Sequence, residues 1–291
     1  MLILKFILLF IVISSWSCRV LANTDDWIGL EPEPSLTLGY IYSHDQADNS
    51  TRSIYLSKQL TEAATINIDL SKDRLQNRFD TFQSYSVYGQ LDWLFENQLN
   101  LAASYQFQGQ KAELEVRQYS VQLGYSPYPA FMSIEFMSGN VEIFTREVIP
   151  RIIDIADRLA SDFNATTYHI GWWFDLFSLS VRHQIFDYKR DISVLSSRPL
   201  LQLLIKPAAL VQSGLLLSDR TTLSIDYPLE KRRLTGHIMQ TRSAISNLIT
   251  RSVQLDWSES INNSTSLILS INRSDEQQDN WFFSIGLEWS A

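Results

Sequence analysis

The stretch Trp281-Phe-Phe-Ser-Ile-Gly-Leu-Glu-Trp-Ser-Ala291 decides the fold. Taken at a period of two, one face carries Trp281, Phe283, Ile285, Leu287 and Trp289, and the other carries Phe282, Ser284, Gly286, Glu288 and Ser290. Strict alternation of this kind belongs to a β-strand, because successive side chains leave a strand on opposite faces while a helix repeats every 3.6 residues. The alternation alone does not choose between a sandwich with one wet face and a barrel in a bilayer. Aromatic residues at both ends of the apolar row add a hint, since amphipathic rings favour the two interfaces of a bilayer.

Working outward, the same pattern recurs. Val253, Leu255 and Trp257 lead through a turn at Ser260 to Ser264 into Leu267, Leu269 and Ile271. The clearest hairpin lies in the first half, where Tyr85, Val87, Leu91 and Trp93 alternate with Ser84, Ser86, Tyr88, Gln90 and Asp92. After Glu96-Asn97 the row Leu99, Leu101, Ala103, Tyr105 and Phe107 runs back, opposed by Asn100, Ala102, Ser104, Gln106 and Gln108. Small and amide side chains behind an apolar row suit a wall with lipid on one side and water on the other. A sandwich with one solvated face is the alternative.

Further strands are predicted around Leu36–Tyr42, Ile54–Leu60, Ile66–Leu70, Val121–Tyr125, Met132–Phe136, Tyr168–Phe174 and Phe177–Ile185. Residues 200 to 241 are ambiguous: Leu201 to Leu217 reads as one long strand bent at Pro207 or as two short ones, and Thr221 to Thr241 poses the same choice. One strand in each gives about 14 strands, with 12 or 16 as neighbouring even counts. Between Ile149 and Phe163 the apolar residues Ile149, Ile152, Ile153, Ala156, Leu159, Ala160 and Phe163 fall at helical spacing, which predicts one short helix in the longest loop. That helix would either fold inward and narrow a lumen or pack outside as a cap.

Connections and aromatics follow strand parity. Thr61-Glu62, Glu96-Asn97 and Asp175 mark short turns, whereas 73–81, 139–164 and 188–199 read as long loops. Trp93, Phe95, Trp172, Phe174, Trp257 and Trp289 gather toward one end of the predicted strands, and Tyr42, Phe107, Phe186 and Trp281 toward the other. Two aromatic girdles are hard to explain in a sandwich.

At the other end of the sequence, Lys5 precedes an apolar run from Phe6 to Ile13, and Val20-Leu21-Ala22 supplies small-residue processing before Asn23. This predicts an export signal over 1–22. Lipoprotein processing at Cys18 is the rival. The run is too short for a spanning helix. Cleavage after Ala22 would remove the single cysteine, so no disulfide or thiolate site would remain. It would also remove Lys5 and Arg19, taking the formal charge from -8 to -10. An acidic exported chain is poorly suited to nucleic acid. Residues 23–34, with Asp25, Asp26, Glu31 and Glu33, read as an acidic lead, and 35–291 as one barrel domain. The mean hydropathy of -0.09 is what alternating strands produce.

With the export signal, amphipathic strands, alternating short and long connections, aromatic girdles and terminal apolar strand in place, the chain resembles the outer-membrane β-barrels of Gram-negative envelopes. The resemblance is architectural and spans nearly the whole mature chain. It implies an all-β transmembrane antiparallel barrel in the cell outer membrane, inserted by the barrel assembly machinery and in contact with membrane lipid and lipopolysaccharide. A soluble partner is not specified.

For function, the reading is a passive pore or channel for small hydrophilic solutes. Asp69, Asp92, Glu135, Asp256 and Glu288, against Arg182, are predicted to line the lumen, and an acidic lining favours cations. The alternative is a non-conducting structural or surface-binding barrel, in which Lys189-Arg190, Arg198 and Lys231-Arg232-Arg233 meet lipid phosphates. An outer-membrane hydrolase is a weaker reading. His44, His169, His183 and His237 are scattered, and only His44-Asp45 places a base beside a carboxylate. No residue spacing predicts a metal site, a catalytic set or a cofactor.

Overall fold

A computed structural model describes residues 36–45, 48–76, 81–95, 97–110, 114–144, 158–189, 216–229, 231–275 and 280–291. The expected export signal and acidic lead lie outside them. Fourteen strands succeed one another: β1 (Leu36–Asp45), β2 (Ser50–Thr61), β3 (Ala64–Gln76), β4 (Thr81–Leu94), β5 (Leu99–Gln110), β6 (Leu114–Tyr125) and β7 (Ala130–Phe144). They continue as β8 (Arg158–Trp173), β9 (Ser178–Tyr188), β10 (Leu217–Leu229), β11 (Arg232–Ser243), β12 (Ile249–Asn262), β13 (Thr265–Ser274) and β14 (Asn280–Ser290). Each pairs antiparallel with its sequence neighbours, and β1 pairs with β14 to close the ring. Closure leaves no strand edge with unpaired backbone groups. The seam is finished by Leu36 N–H donating to Ala291 O at 3.0 Å and Ala291 N–H donating to Leu36 O at 2.9 Å.

The two ends of the barrel differ. At the end holding Leu36 and Ala291, every connection is two to four residues long. At the opposite end lie the connections 145–157 and 189–216, far longer than any at the first. We call these the turn end and the loop end.

Register assigns the faces. Leu38, Tyr40 and Tyr42 point outward in line with Leu287, Ile285 and Leu56, Ile54 on either side. The outward row stays apolar around the ring, and its side chains are left uncovered: Ile170 is 64% exposed, Phe136 59% and Ile238 57%. The inward face carries Ser, Asn, Gln, Asp and Glu along most of its height.

The inward face also contains its own close packing. A Cβ at Gly39 would lie 2.0 Å from the Tyr55 ring, because that ring lies flat across β1. Only a bare backbone there lets Tyr55 of β2 reach Glu288 of β14 and donate its hydroxyl hydrogen to Oε2. The Tyr55–Glu288 bond therefore spans the closing strand from within. Near the loop end, Leu114, Val141, Ile143, Phe163, Leu216 and Ile245 form a buried apolar cluster, with Val116, Met137, Phe186 and Tyr188 packed against it. Ile245, from the β11–β12 turn, and Leu216, just before β10, thus fill part of the mouth. Ala244 N–H donating to Leu216 O at 2.8 Å fixes that approach.

Three sequence expectations change here, and one choice left open is decided. The described residues contain no helix: within the stretch 149–163, residues from Arg158 onward belong to β8 and 149–157 lies outside the described residues. The run 158–163 fits a period of two as well as helical spacing, and β7, extending to Phe144, offers it a full ladder of partners. The supposed long loop 73–81 is short, since β3 continues to Gln76 and β4 begins at Thr81. Thr221 to Thr241 is a hairpin, β10 and β11, rather than one strand, while 201–215 lies outside the described residues. Phe186 faces inward, because it shares parity with Arg182 and Gln184, so it belongs to the apolar cluster instead of an outer girdle.

Candidate lumen site

Strand parity places Asp69, Asp92, Glu135, Arg182, Asp256 and Glu288 on the inward face of β3, β4, β7, β9, β12 and β14. They do not converge on one spot. They divide between two walls that differ in how their charges are satisfied.

On the first wall, formed by β2–β4 and β12–β14 around the seam, most carboxylates are tied. Asp92 accepts from Asn67 Nδ2 at 2.7 Å and from Gln90 Nε2 at 2.5 Å. Asp256 accepts from Gln254 Nε2 at 2.9 Å and from the Ser270 hydroxyl, and His237 Nε2 stands 3.5 Å away. Glu288 holds Tyr55. Asp73 accepts from Thr51 Oγ1 at 2.8 Å and Ser84 Oγ at 3.1 Å. Asp69 accepts no side-chain bond among the described residues, standing in register between Tyr55 and Tyr88.

On the second wall, β7–β10, Asp226 near the turn end is held by Arg233 and Thr235, but the inward charges farther along are untied. Arg182 of β9 pairs in register with Thr222, and Arg220 of β10 pairs with Gln184, so the two guanidinium stems are diagonal neighbours on the inward face. Diagonal neighbours lie about 7–8 Å apart, within reach of long side chains. Neither arginine makes an ion pair among the described residues, and the buried Arg220 Nε has no hydrogen-bond partner. Glu135, two strands away on β7, is also without an ion pair among them.

Both arginines and Glu135 line one cavity of about 500 Å³ that runs from the middle of the lumen toward the loop end. Its wall is rich in amides, with Gln106, Gln118, Gln122 and Gln184, and its roof is Phe163, Phe186 and Tyr188 with Leu114 and Leu216. The roof rings pack on one another, with centroids 5.9 Å apart for Phe163–Phe186 and 5.6 Å for Phe163–Tyr188. The cavity thus combines an apolar aromatic lid, hydrogen-bonding walls, and two guanidiniums and one carboxylate that make no ion pair among the described residues.

Arg220 is a lumen residue that sequence periodicity did not bring out. The signal is nevertheless in the chain: with Leu223 and Ile225 outward, Thr222 and Arg220 must face in. It becomes readable only once β10 is separated from β11 at the 230–231 turn.

The other candidates disperse. His44 and Asp45 are adjacent in β1 and so point to opposite faces; Asp45 is buried and caps the β1–β2 turn, accepting from Asn49 N–H and Nδ2 at 2.8 Å each. They form no catalytic pair. Lys189 pairs with Asp162 at 2.8 Å near the loop end. Arg232 pairs with Glu259 and Arg233 with Asp226, both at the turn end, so the 231–233 cluster is away from the long loops. Arg190 and Arg198 lie outside the described residues. Among the described residues no group of three His, Cys, Asp or Glu is placed to hold a metal ion.

No family model matches the sequence, and no curated protein does. Solved structures do resemble the fold. The CymD monoaromatic hydrocarbon channel aligns with a TM-score of 0.56 at 9% identity, over 89% of this chain and 89% of that one. The Ralstonia pickettii toluene transporter TbuX aligns with a TM-score of 0.54 at 9% identity, over 90% of each chain. The Acinetobacter baumannii outer membrane protein Omp33 aligns with a TM-score of 0.49 at 7% identity, over 89% of this chain and 99% of that one. At such identities the likeness is one of fold: this chain has the barrel architecture of proteins described as a channel and a transporter.

Proposed function

We propose that this chain is an outer-membrane channel that passes small solutes down their gradients. The observation that carries the reading is the closed 14-strand ring with an apolar outer row and a polar inner face. An outer surface of uncovered Leu, Ile, Phe and Trp is stable against lipid and unfavourable in water. An eight-strand barrel is filled by its own side chains, whereas about 16–18 strands enclose an aqueous channel, so fourteen leaves room that short Ser and Asn side chains do not fill. The long connections at one end and short turns at the other match a barrel whose turn end faces the periplasm. The excess of inward carboxylates over arginines favours small cations in the polar part of the lumen.

Proteoliposomes containing the folded protein should swell in isotonic arabinose faster than empty vesicles, and more slowly in a disaccharide. Swelling equal to that of empty vesicles, with protein shown to be folded and inserted, would overturn the channel reading.

A further inference from the structure

The tied and untied charges of the lumen have different consequences. A carboxylate that already accepts two or three hydrogen bonds, as Asp92 and Asp256 do, has little left for a solute. A buried guanidinium with an unpartnered N–H is costly, and such groups in folded proteins normally have a partner. Arg220 Nε is such a group, buried and without a partner, and Arg182 stands diagonally beside it. Two like charges on adjacent strands repel unless an anion joins them.

We propose that Arg182 and Arg220 form a subsite for a small organic anion, an aromatic carboxylate, whose ring packs beneath Phe163, Phe186 and Tyr188. The proposal rests on the channel reading and names the class of solute that this cavity suits. A cavity of about 500 Å³ matches the usual size of small-molecule sites. Arginine suits the role because its planar fork takes a carboxylate through two parallel bonds. The apolar roof removes water from one side of the pair, which strengthens the charge-assisted bonds. Gln184, in register with Arg220, supplies a further amide for the carboxylate. Glu135 lies on the same inward row as Gln184 and Arg220, on β7 two strands from β9, and repels a carboxylate on that side, so the anion is oriented toward β9 and β10.

The test uses benzoate as the probe, titrated calorimetrically into the folded full-length protein in detergent, with benzyl alcohol and benzylammonium as controls. Benzoate should bind more tightly than either control. Arg182→Gln and Arg220→Gln should each weaken it roughly tenfold, the loss expected for one charge-assisted hydrogen bond. Arg182→Lys should recover part of that loss, and far-ultraviolet dichroism with heat-shifted gel mobility verifies folding of each variant. Benzylammonium binding as tightly as benzoate, or benzoate binding unchanged in the arginine variants, would overturn the subsite. The channel reading is judged separately: a conducting barrel that does not bind benzoate loses the subsite alone, and a folded barrel that binds benzoate in an arginine-dependent way without conducting keeps the subsite alone.

Discussion

The walls on either side of the lumen are made from the same strand pattern, yet they satisfy their charges in opposite ways. Around the seam, Asp73, Asp92, Asp256 and Glu288 are each held by neighbours on adjacent strands. On β9 and β10, Arg182 and Arg220 face a cavity that Glu135 also lines, and neither makes an ion pair among the described residues. The difference teaches that charge in a lumen has two uses. Hydrogen-bonded carboxylates brace a sheet that water would otherwise enter, and unpaired guanidiniums wait for something that passes through.

That contrast can be broken by mutation, from the strongest effect to the weakest. Phe163→Ala removes a buried ring from the roof of the second wall, at a cost of about 3–5 kcal/mol. The urea midpoint of the folded barrel should fall by a large amount, and an unchanged midpoint would deny the loop-end cluster its structural role. Gly39→Val strikes the first wall, driving side-chain atoms into the Tyr55 ring and dislodging it from Glu288. Overpacking of this kind costs about 1–3 kcal/mol, and the midpoint should fall accordingly. Asp92→Ala leaves the Asn67 and Gln90 amides without their acceptor and should cost about 1 kcal/mol. Arg220→Gln should change stability by less than about 0.5 kcal/mol, or raise it, because no partner is lost. If Arg220→Gln destabilised the barrel more than Asp92→Ala, the distinction between tied and untied walls would fail.

Much of the barrel is legible in the sequence because a period of two is a local property. The rows Leu99–Phe107 and Trp281–Trp289 state their faces without reference to any partner, and parity then carries Asp69, Asp92, Glu135, Arg182, Asp256 and Glu288 onto the inward face. The features that escape such a reading depend on pairing. The residues 158–163 fit two periodicities, and only the reach of β7 to Phe144 decides between them. Strand length beyond the apolar band, as in β3 continuing through Lys72 and Asp73 to Gln76, carries no hydrophobic signal at all. The division of the lumen into two walls is hidden for the same reason. Whether Asp92 is tied depends on Asn67 lying across the β3–β4 ladder, and whether Arg220 is free depends on what does not lie beside it.

The central claim is an open lumen, and ion conductance of the refolded protein in a planar bilayer tests it most directly. An open lumen with this lining predicts discrete current steps, a reversal potential under a salt gradient that leans toward cations, and a shift toward anions when Glu135 is replaced by lysine. A folded, inserted protein that gives no current would contradict it.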